Sequence, residues 1–194
     1  MNCKHFLILV LVVTQACFSQ RNDTAAARLN NYRDRIITVY NKCNAQDVAV
    51  NNAIKIKSAK DIESGRQAML QCSTDGLKSL TAIGSFDGDP SLKFSCGDVL
   101  KFYKQVAESD LPQVRDFFIV EENFNRIKGE FEKIKLKKHS SAEIIAYNAE
   151  IIKYNDAVTR YRQLTDFIAS GRKLTLYNWN ASFKIFMDAH QRKK

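Results

Sequence analysis

The sequence predicts an all-α protein, an antiparallel bundle of four to six helices, and three observations carry that prediction. Only 7 glycines and 2 prolines occur in 194 residues, too few turn formers for the many reversals of a β-sandwich. Apolar residues recur three and four positions apart through most of the chain, the period of a helix with one buried face. Hydrophobic residues make up 45% of the chain, enough to fill one core and too many for a disordered tail.

Residues 1–19 stand apart as a leader. Lys4 precedes an apolar run from Phe6 to Val13, and Thr14 to Ser19 is small and polar, the layout of a signal peptide. The run is far short of the roughly 20 apolar residues that cross a bilayer, and no later stretch reaches that length, so no transmembrane segment is expected. Cleavage after Ser19 would export a chain beginning at Gln20 to the periplasm or cell surface. The alternative is a lipid anchor on Cys17, since Thr14-Gln15-Ala16-Cys17 has part of a lipobox but no leucine three residues upstream. Soluble export is the preferred reading, with residues 20–194 as a single helical-bundle domain.

Helix 1 is expected from about Asp23 to Lys57, on the stripe Leu29, Tyr32, Ile36, Val39, Cys43, Val50 and Ala53, with Gln46 breaking the stripe. Ser58 or Asp61 can cap a second helix carrying Ile62, Met69, Leu70, Leu77, Leu80 and Ile83, which stops at Gly84. Ser85 to Asp89 reads as a loop, and Asp89-Pro90 as the start of a third helix with Leu92, Cys96, Val99, Tyr103 and Val106. Pro112 predicts a break or kink, because proline removes a donor and disfavours helical geometry just before it. The pattern resumes with Phe117, Val120, Phe124, Ile127, Phe131 and Ile134. His139-Ser140-Ser141 followed by Glu143 reads as a turn and a fresh cap. The longest stripe then runs from Ile144 through Tyr147, Ile151, Tyr154, Val158 and Tyr161 to Ile168, and Ser170-Gly171 is expected to separate a last helix with Leu176, Trp179, Phe183 and Phe186. The result is a long hairpin around His139 whose arms, residues 112–169, are expected to bend or leave the bundle near Pro112 and Gly171.

Cleavage after Ser19 leaves Cys43, Cys72 and Cys96, an odd number for an oxidising compartment. Cys43 and Cys72 lie about equally far from the first turn on antiparallel helices and are the preferred disulfide; three unpaired buried thiols are the alternative.

Chemistry-bearing patterns are sparse. His139 and His190 lie far apart and lack the spaced ligands of a zinc site, and no phosphate-binding glycine loop or hydrolase elbow occurs. Asp87-Gly88-Asp89 starts like a calcium loop but lacks its distal glutamate, so turn chemistry explains it better. No cofactor is expected, and a Cys96 thiol paired with either histidine is the one enzymatic arrangement worth testing. Charge is more informative. The chain carries a formal +9, with a basic concentration at the hairpin tip, Lys133, Lys135, Lys137, Lys138 and His139. This fits an envelope protein or an anionic surface component as partner; no base-reading motif points to nucleic acid. A solvated helix end is the plainer explanation of such a run. Tyr147, Tyr154 and Tyr161 share one helix face and could line a groove for an apolar ligand, or simply pack.

The segments Asp87-Gly88-Asp89-Pro90-Ser91-Leu92-Lys93 and Val99-Leu100-Lys101-Phe102-Tyr103-Lys104, with an exported amino terminus and Tyr-Asn-rich helices, resemble a family of small helical exported surface proteins of spirochaetes and Bacteroidetes-like bacteria. The resemblance implies an envelope location and no established enzyme activity, and it assigns no functional residues. Asp23-Thr24-Ala25 resembles the short O-glycosylation sequon of Bacteroidetes, with Thr24 as acceptor. The expected function is therefore non-catalytic: an exported bundle serving macromolecular interaction, with small-ligand carriage as the alternative.

Overall fold

The computed structural model describes residues 3–135 and 138–191, with side chains from Ala25 onward. The side chains of Cys17 and Thr24, and Lys137 altogether, lie outside the described residues. Five α-helices follow one another: α1 (Cys3–Lys55), α2 (Ala59–Thr81), α3 (Ser91–Gln105), α4 (Leu111–Glu132) and α5 (Ser141–Gln191), with a π-helical turn, Val106–Asp110, joining α3 to α4. The protein is an all-α helical bundle, and the described residues contain no strand beyond an isolated bridge between Phe86 and Asp89. Helix α1 starts at Cys3, upstream of the expected start near Asp23.

Local chemistry sets the turns. Lys57 closes α1 with φ 57°, its amide donating to Ile54 O at 3.0 Å while Ser58 N donates to Ala53 O at 3.1 Å, a Schellman ending made without glycine. Ser58 then caps α2, its hydroxyl accepting from Asp61 N at 3.2 Å. Between α2 and α3, Asp87 (φ 49°) and Gly88 (φ 84°) form a tight reversal closed by paired bonds between Phe86 and Asp89. Two successive positive φ values favour the Asp-Gly sequence found there. The reversal turns Phe86 into the core, against Tyr32 and Phe186.

The core lies where α1, α2 and α3 pack side by side, with the first turns of α4 and the carboxyl-terminal part of α5 added. Ile36, Val50, Ile62, Met69, Leu92, Leu100, Tyr103 and Phe186 are essentially inaccessible to solvent. Cys43 and Cys72 are joined by a disulfide between α1 and α2, with Cα atoms 5.5 Å apart. Cys96 is unpaired and buried; desolvation pushes its thiol up to about 12, so it stays protonated.

Of the two expected irregularities, the one at Pro112 takes the form of a widened turn and the one at Ser170-Gly171 is absent. At Pro112 the chain widens into the π turn, where Leu111 N donates to Val106 O, and α4 continues from α3 without a gap. The wider turn accommodates a ring that would otherwise collide with the preceding turn, and Arg66 Nη1 reaches in to donate to Ala107 O at 3.4 Å. At Ser170-Gly171 there is no interruption, and α5 runs its full length as one helix. The glycine serves close approach: a Cβ there would stand 2.7 Å from Phe102 Cε2. A small residue demanded by packing looks, in sequence, like a helix stop.

The π turn leaves one polar group stranded. Asp110 is buried, its Oδ2 has no hydrogen-bond partner, and burial raises its pKa. A carboxyl that holds its proton more tightly when folded costs stability as the pH rises above the ordinary carboxylate value. Asp110→Asn is therefore expected to stabilise the protein at pH 7 by about 1 kcal/mol. The difference should vanish near pH 3, where wild type is protonated in both states; parallel urea titrations at the two pH values measure it.

Candidate functional site

Beyond the α1–α2 turn only α4 and α5 continue. The boundary is marked by Lys57, whose Nζ donates to Glu121 Oε1 and Oε2 at 2.9 and 3.0 Å. On α4 the buried residues are Leu111, Val114, Phe117 and Phe118, all before that point. Among the described residues from 119 to 167 none is buried. That stretch is a two-helix hairpin, half-shielded along a single seam.

The seam is a ladder of rings. Positions 117, 120, 124, 127 and 131 on α4 and 144, 147, 151, 154, 158, 161 and 165 on α5 alternate steps of three and four, the repeat that keeps one stripe of each helix facing the other. Phe117 stacks on Tyr161 with centroids 4.1 Å apart, Phe124 on Tyr154 at 4.3 Å, and Phe131 on Tyr147 at 4.0 Å. All three tyrosines considered as a ligand groove are thus opposed by phenylalanines of α4. Two open clefts lie beside the seam, one of about 410 Å³ near the tip, lined by Ile127, Phe131, Ile134, His139 and Tyr147 among others, and one of about 290 Å³ at the base, lined by Phe117, Val120, Tyr161 and Leu164 among others.

His139 ends the ladder and differs from its expected place among the tip's exposed charges. Its side chain is only 3% exposed. The ring stacks on Phe131 at 3.9 Å, and Nε2 lies 3.1 Å from Phe131 O and 3.3 Å from Ile134 O, at the carbonyl end of α4. An N–H at Nε2 adds a donor to the carbonyl end of α4, where Phe131 O also accepts from Ile134 N at 3.3 Å. Ser140 and Glu143 then form a reciprocal cap for α5. The Ser140 amide donates to Glu143 Oε2 at 2.7 Å, and the Glu143 amide donates to Ser140 Oγ at 3.3 Å. These bonds from the Ser140 amide and hydroxyl hold the Glu143 carboxyl below its usual range. His139 thus positions the turn, while Lys133, Lys135 and Lys138 remain exposed on it with no ion-pair partner among the described residues. Ile134 and Ile145 add exposed apolar surface at the same end.

The opposite end of the bundle holds a second histidine, His190. His190 Nε2 is 2.9 Å from Asp89 Oδ2, with its ring against Phe86 and Phe186. Burial acts to raise the Asp89 pKa, but bonds from His190 and the Ser91 amide outweigh it and leave the carboxyl lowered. Cys96 is separate from both histidines' partners, its Sγ lying 4.0 Å from Ile36 O inside the core. Among the described residues no group of three histidines, cysteines and carboxylates could hold a metal ion.

One polar cluster escaped the sequence reading. Asp47 is buried on α1 and accepts two hydrogen bonds from Arg172 of α5, Nε to Oδ2 at 2.9 Å and Nη2 to Oδ1 at 2.8 Å. Nearby, the Tyr103 hydroxyl donates to Asn44 Oδ1 at 3.0 Å. The available signal was Asp47 itself, standing between Cys43 and Val50 at core spacing on a helix stripe.

Fold and surface together define a helical bundle that extends a two-helix hairpin with a lysine-bearing turn. No helix of the described residues is long and apolar enough to cross a membrane. No protein-family model, curated protein or solved structure matches the chain.

Proposed function

We propose that this is a non-catalytic exported protein of the cell envelope whose hairpin tip contacts an anionic surface component. The observation that carries this reading is the absence of any buried residue among the described positions from 119 to 167. A chain that folds a complete core elsewhere and still extends two helices past it offers those helices for contact. Lys133, Lys135 and Lys138 supply positive charge, and Ile134 and Ile145 supply short-range apolar contact beside it. The aromatic seam supports this over small-ligand carriage, because its faces already cover one another.

The test is binding to vesicles carrying lipopolysaccharide. Each lysine near an anionic surface contributes about 1 kcal/mol, so replacing Lys133, Lys135 and Lys138 with alanine is expected to weaken binding by about a hundredfold at low ionic strength. Added salt should weaken the wild type toward the triple variant. Alanine at Lys42 and Lys60, exposed on the bundle body, should leave binding unchanged. Equal binding by wild type and triple variant would remove the tip from the function.

A further inference from the structure

We infer that two copies of the chain pair through the outer face of α5, antiparallel, about a two-fold axis level with Thr175 and Leu176. Phe167, Leu174, Tyr177 and Ile185 are each more than half exposed. At 3.6 residues per turn these four side chains, with the small Ala181, fall within one quarter of the helix circumference, on the side away from buried Ile168 and Phe186. Helix α5 therefore carries two apolar stripes, one buried in its own bundle and one without a partner among the described residues.

The spacing of the outer stripe is self-complementary. An antiparallel second helix centred on Thr175 and Leu176 places Leu174 opposite Tyr177 of the second copy, and Phe167 within one residue of its Ile185. The same alignment satisfies charge. Asp166 and Lys184 are exposed on the flank of the stripe where Tyr177 lies, and neither has an ion-pair partner among the described residues. A two-fold axis perpendicular to the helices brings like flanks together, so Asp166 of each copy comes level, within one residue, with Lys184 of the other. On the opposite flank, a turn away from the axis, Phe94 of α3 stands exposed beside Asn178 and Ser182 and widens the apolar face. Covering these five large side chains removes about 600 Å² per copy, roughly 1,200 Å² in all, the size at which specific dimers begin. Apolar spacing, charge register and area all select a second copy as occupant.

Sedimentation equilibrium of the full chain over a concentration series tests this. Wild type is expected to dimerise reversibly, and Leu174→Asp, a change at an exposed position, to remain monomeric and folded by circular dichroism. Asp166→Lys and Lys184→Asp should each weaken the dimer by about tenfold, since each turns two cross-axis attractions into repulsions. The double variant D166K/K184D should recover wild-type association. A wild type that stays monomeric overturns the inference, whether or not this face captures vesicles instead. So does a dimer indifferent to Leu174→Asp, or single-variant defects that the double variant fails to repair. None of these residues is at the hairpin tip, so the outcome is separable from the vesicle experiment.

Discussion

Arg172→Met is expected to lower the unfolding free energy by about 3 kcal/mol in urea titration at neutral pH, the low end of the cost of stranding a buried charge. Asp47 is only 3% exposed, and Arg172 supplies both of its short hydrogen bonds. What would remain is a long bond from Asn51 at 3.4 Å, too weak to solvate a carboxylate. Methionine keeps the length and apolar stem of arginine, so the loss reports the stranded charge more than a cavity. Asp47→Asn in the same background should recover most of the loss, because an amide costs less to bury than an ion. A single-variant loss below 1 kcal/mol would show that water reaches Asp47.

Removing the disulfide has an effect of similar size and different origin. Cys43 and Cys72 are 29 positions apart, and closing a loop of that length restricts the unfolded chain by roughly 3.5 kcal/mol in the chain-entropy treatment. Cys72→Ala is expected to lose about that amount in denaturant titration, with the loss expressed mainly as greater freedom of the unfolded state. Reduction of wild type should reproduce it, since Cys96 is buried and takes no part in the bridge. Equal stability of oxidised and reduced protein would count against the entropic account.

How much of this was legible in the sequence depended on whether a residue was serving local geometry or packing. Turns governed by local chemistry were readable: Ser58 as a cap, Asp87-Gly88 as a reversal, and Ser140 with Glu143 at the start of α5. Helical periodicity likewise identified the faces that form the core. Gly171 misled because it is a breaker by itself and is held in helix by the Phe102 ring packed against it, whereas Pro112 did mark an irregularity, met by a widened turn instead of a gap. The error at Gly171 had a second cost. A break there removed Arg172 from the helical register, and the buried pair with Asp47 could not be anticipated. The hairpin tip showed the same division: the lysines were found by composition, whereas the inward turn of His139 depends on Phe131 and on helix-end carbonyls that no short motif announces.

The ladder of stacked rings also has a mechanical meaning. From Glu121 to Lys133 α4 advances about 18 Å at 1.5 Å per residue, braced only by α5. A rod clamped at its base and free at its end is a cantilever, and thermal bending moves its end most. Flat rings can slide over one another with little change in contact, so the seam can flex without parting. The lysines at the end can then sweep a volume around the bundle while the clamped base, disulfide included, keeps its shape.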